Sequence, residues 1–157
     1  MGTPRLLQTR LVDVTYGEGV TIVEPANCYG CTLHDGVFVG PFTEIQRDVT
    51  IGARTRIQSH TFICSLVTIG ESCFIAHGVM FINDLFEEGQ PAGKPEGWKR
   101  TLIGNRVSIG SNATILPVAI CDDVVIGAGA VVTKDITAPG VYAGNPARLL
   151  RALPARG

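Results

Sequence analysis

The sequence is poor in charge, in aromatic side chains and in long apolar runs. Charged residues make up 17% of the 157 residues, and the formal net charge is −1, which gives no bias toward nucleic acid or a membrane surface. No apolar stretch approaches the ~18–20 residues that cross a bilayer. The N-terminal MGTPRLLQTRLVDV lacks the basic region and apolar run of a signal peptide. We therefore expect a cytoplasmic protein that binds neither nucleic acid nor membrane.

Cysteine is present, but its pattern does not predict a disulfide framework. The chain has 5 cysteines, an odd number and few for its length, which favours a reducing compartment. Cys28 and Cys31 form one C-x-x-C motif, and no second pair follows. Structural zinc needs four ligands at defined spacing, so we predict no metal.

The sequence does contain an internal repeat with a period of six residues. One series of positions is aliphatic or aromatic, and a second series, four residues later, is small or β-branched. The first series is Leu33, Val39, Ile45, Ile51, Ile57, Ile63, Ile69, Ile75 and Phe81. The second series is Val37, Thr43, Val49, Thr55, Thr61, Val67, Cys73 and Val79. This period fits neither a helix nor a simple alternating strand; it predicts short strands, three to a coil, stacked as a β-solenoid with the large aliphatics inside.

The repeat defines one domain, residues 1–157, with two irregular parts. Glycine often follows the inward aliphatic, as in Ile51-Gly52 and Ile69-Gly70, and we expect these glycines to allow turn conformations that a Cβ would hinder. Register is lost from about 83 to 101, which predicts a projecting loop. It returns at Ile103 and slips by one residue in ILPVAIC, which shortens one corner. The tail, about 141–157, is expected to pack as a terminal turn that covers the last coil.

Several motifs together resemble a known family. They are NCYGC, SHTFIC, HGVMFIND, SIGSNATILPV, IGAGAVVTKDI and YAGNPARLL. The run resembles the hexapeptide-repeat acyltransferases, and within them the bacterial N-acetyltransferases that act on nucleotide-linked amino sugars for surface polysaccharide. The resemblance implies an all-β, left-handed parallel β-helix and acetyl-CoA as co-substrate. It also implies a homotrimer with its active sites in the grooves between subunits.

Ser59 and His77 lie 18 residues apart, on outward positions near a corner. Residues one coil apart stack at about 4.8 Å, so we expect the two side chains to meet. His77 is then either a general base near neutral pH or a polar turn residue. His60 also points outward, with Phe42 one coil below, and we predict that it binds substrate beside Gln46 and Ser59; the alternative is an ordinary exposed histidine.

The loop NDLFEEGQPAGKPEGWKRT carries the remaining acceptor-side candidates, because loops that project from a scaffold often carry function. Asn83 matches an asparagine that the resemblance implies orients the amine, with the proton passing to the CoA sulfur. Asp84 either adjusts this site or caps the turn into the loop. Trp98 lies against a sugar or base, or anchors the loop to a neighbouring subunit. Lys94, Lys99 and Arg100 meet a diphosphate or are solvated.

The donor side is assigned from the resemblance to acetyl-CoA channels. Small residues there let the backbone approach the pantetheine arm, and two cations, Lys134 and Arg148, are placed to meet CoA phosphates. The small residues are Gly110, Gly127, Ala128 and Gly129.

Three other functions remain open from the sequence. O-acetylation of a sugar or serine-like hydroxyl on the same scaffold needs a real base, such as His77, more strongly than N-acetylation does. A carbonic anhydrase of the γ class needs three converging histidines, and the chain offers His34, His60 and His77. The third is a non-catalytic scaffold, against which the donor-like motif argues.

Overall fold

The computed structural model describes residues 10–153 and has three parallel sheets wound into a solenoid. Consecutive strands pass from sheet A to sheet B to sheet C and back. Sheet A contains β1 (Leu11–Val12), β4 (Asn27–Tyr29), β7 (Glu44–Ile45), β10 (Phe62–Ile63), β13 (Met80–Phe81), β16 (Thr114–Ile115) and β19 (Val131–Val132). Sheet B contains β2 (Thr15–Tyr16), β5 (Thr32–Leu33), β8 (Thr50–Ile51), β11 (Val67–Ile69), β14 (Thr101–Ile103) and β17 (Ala119–Ile120). Sheet C contains β3 (Thr21–Ile22), β6 (Phe38–Val39), β9 (Arg56–Ile57), β12 (Phe74–Ile75), β15 (Ser108–Ile109), β18 (Val124–Ile126), β20 (Gly140–Ala143) and β21 (Arg148–Arg151).

The predicted coil of three strands is confirmed by the pairing register. Ile63 pairs with Ile45 and Ile69 with Ile51, one coil apart in each case. The predicted slip is confirmed as well, because the register shortens so that Ile103 pairs with Ile120. The single helical element in the described residues is a 3-10 turn, Pro95–Gly97, and nothing there is long and apolar enough to form a bilayer-spanning helix.

Both repeat series are buried, as predicted. Every aliphatic of the first series and every member of the second lies in the prism interior. The buried threonines bond between coils: Thr55 Oγ1 donates to Gly70 O at 2.8 Å, and Thr61 Oγ1 donates to Ala76 O at 3.1 Å. These bonds satisfy hydroxyls that would otherwise be costly to bury, so threonine alternates freely with valine in the second series.

The role predicted for the glycines that follow the aliphatics is wrong. They do not have positive φ; instead, their coils approach too closely for a side chain. A Cβ on Gly52 would lie 2.5 Å from the carbonyl carbon of Gly70, and one on Gly40 would lie 2.7 Å from Ser59 N. The left-handed position comes two residues later in the repeat. There the chain places residues other than glycine at many turns, such as Arg54 (φ 59°).

The three sheets meet at three corners, which organise the outer surface. The C–A corner comprises 40–43, 58–61, 76–79, 110–113 and 127–130. The A–B corner comprises 46–49, 64–66, 82–100, 116–118 and 133–135. The B–C corner comprises 34–37, 52–55, 70–73, 104–107 and 121–123. Because every corner repeats coil after coil, side chains at one position form a vertical column.

The projecting loop and the tail both leave the solenoid at defined points. The loop follows β13 and precedes β14, and the register returns across it, with Ile69 paired to Ile103. Lys99 N donates to Asn83 O at 2.8 Å and closes the loop at its base. The tail does not form the expected covering turn: β21 pairs antiparallel with β20, and Leu149 and Leu150 are exposed. Tail residues 154–157 lie outside the described residues.

Candidate functional site

The predicted contact between Ser59 and His77 is present at the C–A corner. Ser59 Oγ lies 2.9 Å from His77 Nδ1, one coil below it. His77 is exposed, and its other ring nitrogen, Nε2, has no hydrogen-bond partner among residues 10–153. Holding one imidazole nitrogen orients the ring and leaves the other nitrogen for a bound molecule. The pair therefore has the arrangement of a positioned acid–base group.

His60 stands beside Ser59 on the same corner. Its ring stacks on Phe42, with 5.0 Å between ring centroids and 28° between planes. Both residues have left-handed backbones, with φ of 62° and 58°. At the same position one coil above, Gly78 has no side chain. Ser59, His60 and His77 are thus brought together, and Phe42, which was not predicted as a site residue, joins them.

Small residues continue the C–A corner above His77, as the donor-channel prediction requires. A Cβ on Gly110 would lie 2.5 Å from Ala128 N, so the coils are in close backbone contact here. Gly129 has φ +68° and no heavy atom within 4 Å of an added Cβ. Ala128 and Gly129 are exposed. The corner therefore offers a surface with backbone groups and little side-chain bulk.

Gln46 and Asn83 lie at the A–B corner, at the other end of the sheet A strands from His60 and His77. Gln46 Oε1 accepts from Ser65 N at 3.3 Å, and Asn83 Nδ2 donates to Ser65 O at 3.2 Å. The expectation that His60 lies beside Gln46 is therefore wrong within one chain. The eighteen-residue step already predicted this separation, because it stacks His60 on Phe42 and Gln46 on Cys64.

Asp84 holds the projecting loop in shape. Its Oδ1 accepts from Phe86 N at 2.9 Å, and its Oδ2 accepts from Ala92 N at 2.8 Å. These two contacts support the alternative in which Asp84 caps the turn into the loop. Lys99 pairs with Glu87 at 3.2 Å, which partly neutralises that cation, and Trp98 is half-buried at the end of the 3-10 turn.

The two cations predicted for the donor phosphates are both exposed. Lys134 lies at the A–B corner after β19. Arg148 begins β21, and its Nη1 donates to Ala147 O at 3.0 Å. In one chain they lie away from the Ser59–His77 pair, beyond the last full coil.

Four of the five cysteines have raised pKa values and are poor nucleophiles. Cys28 in β4 and Cys31 at the following A–B corner are buried free thiols. The hydrogen bond between them, together with burial, raises the pKa of Cys28, and the same hydrogen bond lowers the pKa of Cys31. Burial raises the pKa of Cys64 to about 12 and raises the pKa of Cys73 and of Cys121. Such thiols stay protonated near neutral pH, which favours direct transfer over an acyl-cysteine intermediate.

The three histidines do not converge within the chain. His34 lies at the B–C corner, whereas His60 and His77 lie at the C–A corner. Among residues 10–153, no group of three or more His, Cys, Asp or Glu is placed to hold a metal ion.

Comparison with known proteins places this solenoid among transferases. Residues 30–65 match the family described as bacterial transferase hexapeptide (six repeats), and residues 100–134 match the hexapeptide repeat of succinyl-transferase. The bifunctional protein GlmU of Pseudarthrobacter chlorophenolicus is 32% identical over 139 residues, which are 83% of this chain and 28% of that protein. The chain thus spans less than a third of the length of this curated relative.

Three solved structures share the fold. The hexapeptide-repeat acetyltransferase VCA0836 of Vibrio cholerae, with acetyl-CoA, is 26% identical, with TM-score 0.66, over 80% of this chain and 72% of that one. Soybean serine acetyltransferase with serine is 29% identical, with TM-score 0.55, over 66% and 41%. GDP-perosamine N-acetyltransferase of Caulobacter crescentus, at 19% identity and TM-score 0.61 over 90% and 57%, shares the fold alone. With its hexapeptide repeat, its parallel solenoid and these relatives, the chain belongs to the hexapeptide-repeat acyltransferase family.

Proposed function

We propose that the protein transfers the acetyl group of acetyl-CoA to the amino group of a nucleotide-linked sugar. The observation that carries the proposal is the Ser59–His77 pair, with Nδ1 held at 2.9 Å from Oγ and Nε2 facing outward. The V. cholerae relative with acetyl-CoA bound supports the donor. The motif HGVMFIND around His77, which resembles that of N-acetyltransferases acting on nucleotide-linked amino sugars, supports the amine acceptor.

The reaction is an acyl transfer between two bound substrates. The amine nitrogen attacks the thioester carbonyl carbon, the carbon–sulfur bond breaks, and the products are the N-acetyl sugar and CoA thiol. The amine proton goes to the departing sulfur, either directly or by way of His77 Nε2. The base role needs the tautomer in which Nδ1–H donates to Ser59 Oγ, because that tautomer leaves the lone pair on Nε2. Held in this way, His77 needs little reorganisation during transfer.

The donor site is proposed to run along the C–A corner above His77. There Gly110, Gly127, Ala128 and Gly129 carry little or no side chain and leave room for the pantetheine arm. Lys134 and Arg148 are proposed to meet the CoA phosphates. The raised pKa of the buried Cys64 supports direct transfer, in which His77 or the sulfur takes the proton without a covalent acyl-enzyme.

The acceptor site is proposed to need two subunits of a homotrimer. In one chain, His77 and Asn83 lie on opposite corners, separated by β13. If the A–B corner of a neighbouring prism packs against the C–A corner, its Asn83 reaches the groove beside His77. Asn83 Nδ2 donates one hydrogen to Ser65 O and keeps a second for the amine or the oxyanion. Gln46, Asp84 and Trp98 arrive on the same corner, so they would shape the pocket from the neighbour's side.

O-acetylation is the second candidate, and the Ser59–His77 pair itself favours it. A hydroxyl loses its proton far less readily than an amine, so O-transfer depends on a positioned base. The name of soybean serine acetyltransferase, a relative at 29% identity, indicates an acceptor with a side-chain hydroxyl. The two candidates differ in what loss of His77 does: O-transfer should be abolished, whereas N-transfer should only weaken.

The function is tested by measuring CoA thiol release from acetyl-CoA. The acceptors are UDP- and dTDP-linked 3-amino and 4-amino sugars, with their hydroxyl counterparts and free serine alongside. Turnover with an amino sugar alone is the expected result. Turnover with hydroxyl acceptors alone would replace the proposal with O-transfer. If acetyl-CoA binds but no acceptor gives CoA release, this substrate class is refuted.

The shared site is tested by mixing two variants of reduced activity, His77→Ala and Asn83→Ala. When they are refolded together, some sites combine an intact His77 from one subunit with an intact Asn83 from another. We expect part of the activity to return in the mixture. A mixture no more active than its parents contradicts a site built from two subunits. The double variant mixed with wild type controls for dilution.

A further inference from the structure

A groove at the lower end of the C–A corner lies beyond the residues assigned above. It has a volume of about 300 Å³ and is lined by Pro25, Ala26, Asn27, Phe42, Thr43 and Glu44. One face of the Phe42 ring stacks on His60. Because Phe42 lines the groove and His60 does not, we place the groove at the other face of the ring. The groove therefore offers a flat aromatic wall, already backed by a second ring.

The position of Phe42 cannot be explained by folding. Its side chain is 60% exposed, so burial contributes little. Its backbone φ is +58°, a region that a bulky residue rarely adopts and that costs free energy. In the other coils the same position holds His60, Gly78, Asn112 and Gly129, residue types better suited to this conformation. An exposed phenylalanine with a strained backbone, stacked on a histidine, is instead well placed to bind a flat molecule.

The groove also holds an unsatisfied polar atom. Asn27 Oδ1 is enclosed and has no hydrogen-bond donor among residues 10–153. Buried polar atoms are nearly always bonded, so an isolated acceptor of this kind suits a bound molecule that brings a donor. Asn27 lines the groove, so rotation of its side chain on binding would bring the amide's donor and acceptor to the bound molecule. Glu44 also lines the groove, and its Oε1 accepts from Gln46 Nε2 at 3.0 Å.

We propose that this groove binds the base of the nucleotide-linked substrate, with the base stacked on Phe42 and its polar edge bonded to Asn27. The inference rests on the proposed function and identifies where the nucleoside is recognised. Stacking on an aromatic side chain serves any base, because every base has a π-face. The amide of Asn27 then reads the donor and acceptor groups on the base edge.

Distance along the solenoid assigns the groove to the acceptor and not to the adenine of CoA. Phe42 lies two coils below His77, and a base on its far face lies one step lower, so the base and His77 are separated by about three strand spacings, or ~14 Å. A pentose and a diphosphate bridge a gap of this order. The donor residues, from Gly110 to Gly129, lie above His77, on the opposite side.

The test measures binding of UDP, TDP, GDP, CDP and ADP to the full chain by calorimetry, with CoA present at saturation. Saturating CoA matters because CoA is itself an adenine nucleotide. We expect at least one diphosphate to bind, and Phe42→Ala to weaken it about five-fold to a hundred-fold, the range for loss of one stacked base. Phe42→Tyr should restore binding. Phe74→Ala, another exposed aromatic on sheet C, should bind like wild type.

Two further readouts separate recognition from a structural role. Phe42→Gly suits the left-handed backbone, so it should keep or raise the Tm while losing nucleotide binding; a large drop in Tm would instead indicate a packing role and overturn the proposal. With substrate, Phe42→Ala and Asn27→Ala should raise the KM for the nucleotide sugar and leave the KM for acetyl-CoA unchanged.

The outcomes also distinguish this inference from the proposed function. If nucleotides bind through Phe42 but no acetyl transfer occurs, the inference stands and the proposed function fails. If the same amino sugar carrying a 1-phosphate in place of the nucleotide is acetylated with equal KM, acetyl transfer stands and the inference fails. Absence of nucleotide binding, or equal binding by Phe42→Ala, overturns the inference directly.

Discussion

The C–A and B–C corners have the same backbone but opposite chemistry. At the B–C corner, polar side chains bond to one another and to the chain: Arg54 pairs with Glu71 at 2.6 Å, and Arg106 pairs with Asp123 at 2.8 Å. Asp122 Oδ1 accepts from Asn105 N at 2.8 Å. At the C–A corner, Phe42, His60 and His77 are exposed and make few contacts. Polar groups that are satisfied within the chain stabilise it, whereas groups left unsatisfied are available to substrate.

The difference also explains why a groove lined by two arginines is not our candidate site. It lies at the B–C corner, has a volume of about 510 Å³, and is lined by Arg54, Glu71, Ser72, Asn105, Arg106 and Ser108. Its cations are already paired to carboxylates. An incoming anion would have to compete with these partners, so charge alone is a poor guide to function in this solenoid.

The largest expected effect comes from removing the exposed imidazole of the C–A corner. His77→Ala should lower kcat about 10²–10⁴-fold if the acceptor is a hydroxyl, the usual contribution of a general base, and less if it is an amine. His34→Ala, at the B–C corner, is the matched control and should turn over like wild type. The measurement is steady-state CoA release with variants of equal Tm. Equal losses in both variants would erase the functional contrast between the corners.

A pair of glycines should separate stability from function. In Gly70→Ala, at the B–C corner, the new Cβ would lie 2.6 Å from Gly104 O, and overpacking against backbone costs about 3 kcal/mol. In Gly129→Ala, at the C–A corner, the Cβ meets open space but the φ of +68° costs about 1–2 kcal/mol. Urea unfolding should rank them in this order. Gly129→Ala should in addition raise the KM for acetyl-CoA, and an unchanged KM would remove Gly129 from the donor channel.

Removing the hydroxyl that holds His77 should have a smaller effect. The Ser59–His77 hydrogen bond is a single contact, and such bonds contribute about 0.5–1.5 kcal/mol, so Ser59→Ala should lower kcat by about tenfold or less. Because Ser59 Oγ bonds directly to the ring of the proposed base, the pH dependence of kcat should also shift, and Ser59→Thr should restore both. Ser72→Ala at the B–C corner is the control. A loss of activity without a change in the pH profile would indicate a steric effect.

The smallest expected effect is the pH dependence of the B–C corner. Hydrogen bonds from Asn105 and the charge of Arg106 lower the pKa of Asp122 below its ordinary value. A lowered folded-state pKa contributes stability above the unfolded-state pKa, and this contribution is lost as pH falls through the folded value. The Tm advantage of wild type over Asp122→Asn should therefore be present at neutral pH and vanish in acid. A gap that persists below the ordinary carboxyl pKa would rule out this charge effect.

Sequence periodicity could predict the solenoid because each inward residue reports its own burial. Ile45, Ile51 and Ile57 are inward by spacing and are buried, and the eighteen-residue step brought Ser59 to His77. The step did not reveal why glycine follows the aliphatics, because the close approach of Gly52 to the next coil depends on backbone geometry. The site was predicted less well. The enclosed Asn27 Oδ1 leaves no trace in composition or spacing, and the partners of Asp84 depend on the path of the loop.

The projecting loop enters and leaves the solenoid at neighbouring points, joined by the bond from Lys99 N to Asn83 O. The strand that follows the loop, β14, pairs with β11 in the regular parallel register of the solenoid. The coils above therefore do not depend on the number of residues in the loop. Evolution, or an engineer, can therefore exchange this segment for one of another length or composition without rebuilding the scaffold.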